Sequence, residues 1–204
     1  MKTRNDAPAR ERVSCGRRYF PALYQRNFCI FWIGQCVSVI GTWMQNVGQA
    51  WLVLEMTGSA AKLSVVTAAQ FVPMMALSIF AGPFVDRFPK RKTIIATQSA
   101  LAVLALALAV LTLTGVIRYW MVIVLAVLLG MVQLVDNPTR QAYIIEMSGR
   151  DALMNAVSLN SASFNLARIV GPAVAGLAIE AIGIAPCFFV NALSFVAVIV
   201  ALLF

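Results

Sequence analysis

Six apolar stretches, each about the length of a bilayer crossing, limit this chain to very few folds. They run from about Phe28 to Leu54, Leu63 to Val85, Thr93 to Val116, Met121 to Pro138, Ala152 to Ile179 and Ile184 to Phe204. Some 20 apolar residues span the roughly 30 Å hydrocarbon core as a helix. Within lipid every backbone polar group must be satisfied inside its own segment, so six such runs read as six transmembrane helices. Composition agrees: 61% of the 204 residues are hydrophobic and only 12% are charged, whereas a soluble domain carries about a quarter charged residues. Turn chemistry marks the joints, with Thr57-Gly58-Ser59 after the first span and Gly183 before the sixth.

The net charge of +8 is topological rather than a nucleic-acid signature. Seven basic residues precede the first span (Lys2, Arg4, Arg10, Arg12, Arg17, Arg18 and Arg26), and four lie between the second and third (Arg87, Lys90, Arg91 and Lys92). Arg140 and Arg150 follow the fourth span, while the alternate side holds only Lys62 and Arg118. Lys and Arg collect in cytoplasmic loops, so the amino terminus is expected inside, with residues 1–26 a basic cytoplasmic tail and 27–204 the six-helix bundle. The first span is too long for a cleaved signal segment. Arg118-Tyr119-Trp120 reads as an interfacial anchor on the outer side. The apolar ending, Val-Ile-Val-Ala-Leu-Leu-Phe, leads us to expect a further half beyond residue 204.

Enzymatic chemistry finds little support. There is no histidine, which excludes imidazole metal sites and histidine acid–base catalysis. Cys15, Cys29, Cys36 and Cys187 form no CxxC pair, and no nucleophile–base pair is evident. No enzyme, metal or other cofactor is expected; the partners are the lipid bilayer and a small molecule.

Polar residues within the spans point to a lined cavity. Gln35, Ser38, Thr42, Gln45 and Gln49 follow three-four spacing along the first helix, with Asn46 at the edge. Ser158, Ser161, Asn165 and Arg168 repeat similarly in the fifth. Such stripes serve either a hydrated cavity or interhelical hydrogen bonding. Arg168 lies mid-span, where a cation costs about 2.5–3.5 kcal/mol; it must face the bundle interior and meet either an acid or an anionic substrate. Gly34, Gly41 and Gly48 repeat every seven residues and suit close helix packing. Asp136, near the end of the fourth span, can pair with Arg87 across helices or with Arg140 at i, i+4.

Between the second and third spans runs Gly82-Pro83-Phe84-Val85-Asp86-Arg87-Phe88-Pro89-Lys90-Arg91-Lys92. Asp86 can accept from a helix N-terminus and Arg87 can pair with a carboxylate, which makes the loop a conformational latch; the plainer alternative is a loop that only sets topology. Gly82, Asp86, Arg87, Lys90 and Arg91 resemble the signature loop of the major facilitator superfamily, which has glycine where this chain has Pro89. The resemblance implies half of a twelve-helix fold, two inverted three-helix repeats, and a charge network joining Asp136 to Arg87. Gly82-Pro83-x-Val and Gly171-Pro172-x-Val echo each other at matched places in the two units. Arg26-Asn27-Phe28, Gly34-Gln35, Gly41 to Gln45, Trp51-Leu52, Asp136 to Ala142 and Arg168 to Ala173 resemble the enterobactin-exporter-like branch. That branch implies proton-linked export of siderophores or drugs across the inner membrane. Gly171-Pro172 is similar to the exporters' Gly-Pro element, a helix-packing feature. The expected substrate-cavity residues are therefore Gln35, Thr42, Gln45, Gln49, Asn165 and Arg168. Solute uptake and a non-transporting membrane scaffold remain open alternatives at this point.

Overall fold

A computed structural model describes residues 21–203, with the side chains of Phe80, Ala81, Pro83, Phe84, Asp86, Arg150 and Asp151 excluded. The described residues form a short 3-10 turn, Pro21–Tyr24, and six helices. These are α1 (Arg26–Thr57), α2 (Ala60–Arg87), α3 (Lys90–Leu113), α4 (Tyr119–Gly149), α5 (Ala152–Ile182) and α6 (Ile184–Leu203). All six contain a stretch long and apolar enough to cross a membrane. The chain is an all-α multi-pass membrane bundle that fits half of a major facilitator fold.

Four of the five joints turn on a glycine with positive φ: Gly58, Gly115, Gly149 and Gly183, a conformation that a Cβ disfavours. The fifth joint is extended instead. Phe88 and Pro89 have φ −114° and −59° with ψ 149° and 115°, so position 89 needs no positive φ and proline suits it.

Two boundaries differ from the sequence expectation. The fourth helix runs past Pro138 to Gly149 rather than ending there. Proline removes one ladder hydrogen bond, but the Arg140 guanidinium closes onto Asp136 across that turn, and the Thr139 hydroxyl donates to the Val135 carbonyl at 2.6 Å. Residues 21–26, assigned above to the tail, are docked on the bundle. Ala22 is wholly buried, its N–H meets Asn155 Oδ1 at 3.3 Å, and the Gln25 amide donates to the Ser148 carbonyl at 3.1 Å. Residues 1–20 lie outside the described residues.

Alternating helix directions put the starts of α1, α3 and α5 at one end with the close of α4 and α6. Phe28, Phe31, Ile94, Ile144, Ala156 and Val198 form the apolar core there. Leu52, Val66, Leu108, Val122 and Phe188 form its counterpart at the other end. At that other end Tyr119 donates to the Lys62 carbonyl at 3.0 Å while the Lys62 ammonium sits 5.5 Å from its ring centre, giving the expected anchor a partner on α2. Cys29, Cys36 and Cys187 are free thiols; Cys15 falls outside the described residues.

Helix α6 packs against α1 and α3, and the seven-residue glycine stripe makes the first approach close. A methyl at Gly34 would lie 3.3 Å from Ala201 Cβ, one at Gly41 2.6 Å from Asn191 Oδ1, and one at Gly48 3.0 Å from the Phe188 ring. The two crossings that an inverted repeat relates, α1 with α5 and α4 with α2, also have glycine at closest approach. Gly171 lies on Trp43 and Ile40, and Gly130 lies on the Gln70 carbonyl.

Candidate functional site: a charged cavity among four helices

A cavity of about 450 Å³ opens between α1, α2, α4 and α5. Helix α1 supplies Gln35, Val39, Thr42, Trp43 and Asn46; α2 supplies Gln70, Phe71 and Met74. From α4 come Gln133, Asp136, Asn137, Arg140 and Gln141, and from α5 Asn160, Phe164 and Arg168, with Leu101 of α3 and Phe195 of α6 completing the lining.

Helix geometry decides which predicted residues reach it. At about 100° per residue, Thr42 and Asn46 lie within about 20° of Gln35 around α1, and all three line the cavity. Ser38 and Gln45 are turned about 60–80° toward the glycine stripe. Gln45 therefore faces α6, where its Oε1 accepts from the Asn191 amide at 2.6 Å and both residues are buried. Gln49 is also buried and does not line the cavity. These two expected cavity residues belong to the packed interior of the bundle.

On α5 the cavity face is Asn160, Phe164 and Arg168, four apart, rather than the serine-rich stripe. Asn165 is exposed, donates to the Ser161 carbonyl at 2.8 Å and lies outside the lining. Ser158 is exposed and donates to the Met154 carbonyl at 2.8 Å. The signal for the true face was Asn160 and Arg168 at i, i+8, with an aromatic residue between them. On α4, Gln133, Asn137, Arg140 and Gln141 had the same legibility, but only Asp136 and Arg140 were singled out.

Two charge arrangements dominate the walls. Asp136 is fully buried. Its Oδ1 accepts from Thr97 at 2.5 Å and from the Gln98 amide at 2.9 Å; its Oδ2 accepts from Arg140 Nε at 2.7 Å and from Arg140 Nη2. Of the two partners open in the sequence, Asp136 has Arg140 and is not joined to Arg87. The pair closes within one helical turn, and both carboxylate oxygens are occupied. Arg168 has no acidic partner within ion-pair distance among the described residues. Its guanidinium lies 5.9 Å from the Trp43 ring centre, and Trp43 meets Phe164 edge-to-face at 6.2 Å. Gly171, one turn beyond Arg168, admits the Trp43 side chain against the α5 backbone. Gln35 donates to Asn160 Oδ1 at 2.7 Å, and its other amide atom has no protein partner.

The basic loop residues occupy separate contacts. Lys90 Nζ lies 3.7 Å from Glu146 Oε2 on α4, and Arg91 Nε donates to the Leu202 carbonyl at 2.7 Å near the end of α6. Arg87 is exposed, and among the described residues no other element stands within 4 Å of where a Gly82 Cβ would be. The Asp86 side chain is outside the described residues.

Residues 18–204 match the family model described as transmembrane secretion effector. The chain is 30% identical over 174 residues to the staphyloferrin A transporter of Staphylococcus aureus, covering 84% of this chain and 44% of that protein. It is 34% identical over 148 residues to the multidrug efflux pump Tap of Mycolicibacterium fortuitum, covering 70% and 36%. To macrolide efflux protein A of Streptococcus pyogenes it is 24% identical over 154 residues, covering 76% and 38%. The chain thus spans less than half the length of these curated relatives, and no solved structure matches it. With a six-span bundle, a polar cavity among four of its helices and a family match over nearly its whole length, this chain belongs to the transmembrane secretion effector family of major facilitator transporters.

Proposed function

We propose that this chain is the amino-terminal half of a secondary transporter that exports a small molecule across the inner membrane by alternating access, with protons as the coupling ion. The observation that carries this reading is the cavity itself: amides and two arginines line a space at mid-bundle between apolar helices. Polar and charged groups are expensive in lipid, and a substrate path repays them better than packing alone does. Efflux proteins among the relatives support export. A second six-helix half would complete the cavity, and the bias of basic residues supports an amino terminus in the cytoplasm.

In this reading Gly82, Asp86, Arg87, Lys90, Arg91 and Asp136 hold one access state. The contacts of Lys90 with Glu146 and of Arg91 with the end of α6 tie the loop to α4 and α6, so moving the loop moves the cytoplasmic end of the bundle. Asp136 contributes from the cavity wall through Arg140, Thr97 and Gln98. The test is flux in vesicles reconstituted with the complete protein under an imposed pH gradient, with staphyloferrin A and a macrolide as probes. Gradient-driven movement is expected, and Asp86→Asn should cut it at least tenfold at equal insertion. Wild-type flux of a transported probe that ignores the pH gradient would remove proton coupling; normal flux from Asp86→Asn would leave the loop only a topological role.

A further inference from the structure

Charge balance in the cavity points to the kind of molecule it holds. Among the described residues three ionisable side chains line it: Asp136, Arg140 and Arg168. The first two cancel. Arg140 is committed to Asp136 through two nitrogens, and the remaining acceptor capacity of Asp136 is taken by Thr97 and Gln98. Among the described lining residues Arg168 is left as the positive charge without a counter-charge. It lies about 24 Å along α5 from Ala152 and about 21 Å from Ile182, far from either headgroup region. Stacking on Trp43 is worth about 0.5–2 kcal/mol, which offsets only part of the cost of a cation at that depth.

Arg168 is exposed on the cavity side of α5, and the surfaces beside it are aromatic. Gly171 seats Trp43 against α5, and Phe164 meets the indole edge-to-face. Phe71 lines the same cavity from α2. The unpartnered atom of Gln35, a residue only 7% exposed, is its Oε1 acceptor, which suits a hydroxyl or amide N–H on the ligand and not the oxyanion itself. A planar guanidinium beside aromatic faces recognises an oxyanion attached to a flat unsaturated body. A cationic ligand would find no free carboxylate among the described lining residues.

We propose that the cavity selects organic anions bearing a planar unsaturated group, with Arg168 binding the oxyanion and Trp43 and Phe164 contacting the planar part. This rests on the transporter reading and names the substrate class of the same cavity.

The test uses three probes that share one ring system and differ in charge: 2-naphthoate, 2-naphthamide and 2-naphthylmethylammonium. Binding to the complete protein in detergent is measured by equilibrium dialysis at low and moderate salt. Naphthoate is expected to bind at least tenfold tighter than the amide, with the ammonium weakest, and its advantage should shrink as salt rises. Arg168→Gln should bring naphthoate to the level of the amide, and Arg168→Lys should keep part of the preference. Equal binding of the three probes, binding of none, or tightest binding of the ammonium overturns the proposal on wild-type protein alone, whatever the variants do. A naphthoate preference that survives Arg168→Gln in correctly folded protein overturns the role of Arg168. Vesicle flux separates this from the parent reading. Anion-selective binding without flux of any probe under any gradient removes transport but keeps the site. Flux of the ammonium that is unchanged in Arg168→Gln removes the anion class but keeps transport.

Discussion

Replacing Gly171 with alanine tests whether the α1–α5 crossing is as close as the structure has it. The new methyl would overlap Trp43 Cβ and stand 3.1 Å from the Ile40 carbonyl oxygen and 3.4 Å from Trp43 Cα. None of these atoms is the free end of a flexible side chain, so no rotamer change relieves the overlap and α5 must retreat from α1. Overpacking of this kind costs about 1–3 kcal/mol. Alanine regains up to about 1 kcal/mol of helix propensity, so the net change runs from about zero to a loss of about 3 kcal/mol, and a glycine free of overlap is needed to isolate the overpacking cost. Gly176 provides the internal control: it lies on the same helix, and nothing stands within 4 Å of its missing methyl, so alanine there should be neutral or slightly stabilising. Melting entropy grows with length, so in a protein as long as the curated relatives each kcal/mol moves the midpoint by about 1–2 °C on the soluble-protein scale. The unfolding midpoint of the complete protein in detergent, followed by tryptophan emission, should therefore lie about 1–6 °C lower for Gly171→Ala than for Gly176→Ala. Equal midpoints for the two variants would refute the close crossing and the seating of Trp43 that depends on it.

Asp136→Ala leaves the Arg140 guanidinium largely buried and unpaired, so a loss of about 3–5 kcal/mol is expected. The double variant Asp136→Ala/Arg140→Met should recover much of it in the same melting assay, and no recovery would argue against the pairing. Gln45→Ala strands the Asn191 amide between α1 and α6 and should cost about 1 kcal/mol. It should leave naphthoate binding unchanged, because Gln45 does not line the cavity; a tenfold loss of binding would return it to the substrate path. Single cysteines at 62 and 118 should react with an impermeant maleimide from outside intact cells, and one at 90 should not; outside labelling at 90 would reverse the assigned orientation.

How far the sequence reaches depends on whether a feature is local. The spans and turns were legible because apolar length and glycine chemistry act within one segment: Gly58 and Gly183 turn where expected. The run through Pro138 was not legible, because it depends on the Arg140–Asp136 closure, which the sequence offered only as one of two pairings. The glycine stripe gave the close packing of α1, though not its partner, α6. Cavity membership was half legible for a geometric reason. Three-four spacing confines a stripe to a wedge about 80° wide, but a cavity and a packed neighbour can divide that wedge. Gln35 and Thr42 fall on the open side of it and Gln45 on the α6 side. Only the position of α6, set by contacts far away in the chain, draws the line between them. The same holds on α5. Asn160 and Gly171 lie about 60–80° to one side of Arg168, and Asn165 and Ser158 about 60–80° to the other. Either flank was a plausible cavity wall until Gly171 met Trp43 and fixed which side of the helix faces α1. A glycine at a crossing thus determines the orientation of its whole helix. On α1 the glycine stripe marks the face turned toward α6 and away from the cavity, and on α5 Gly171 marks the face beside it, so a crossing glycine points to the cavity only once its partner helix is known.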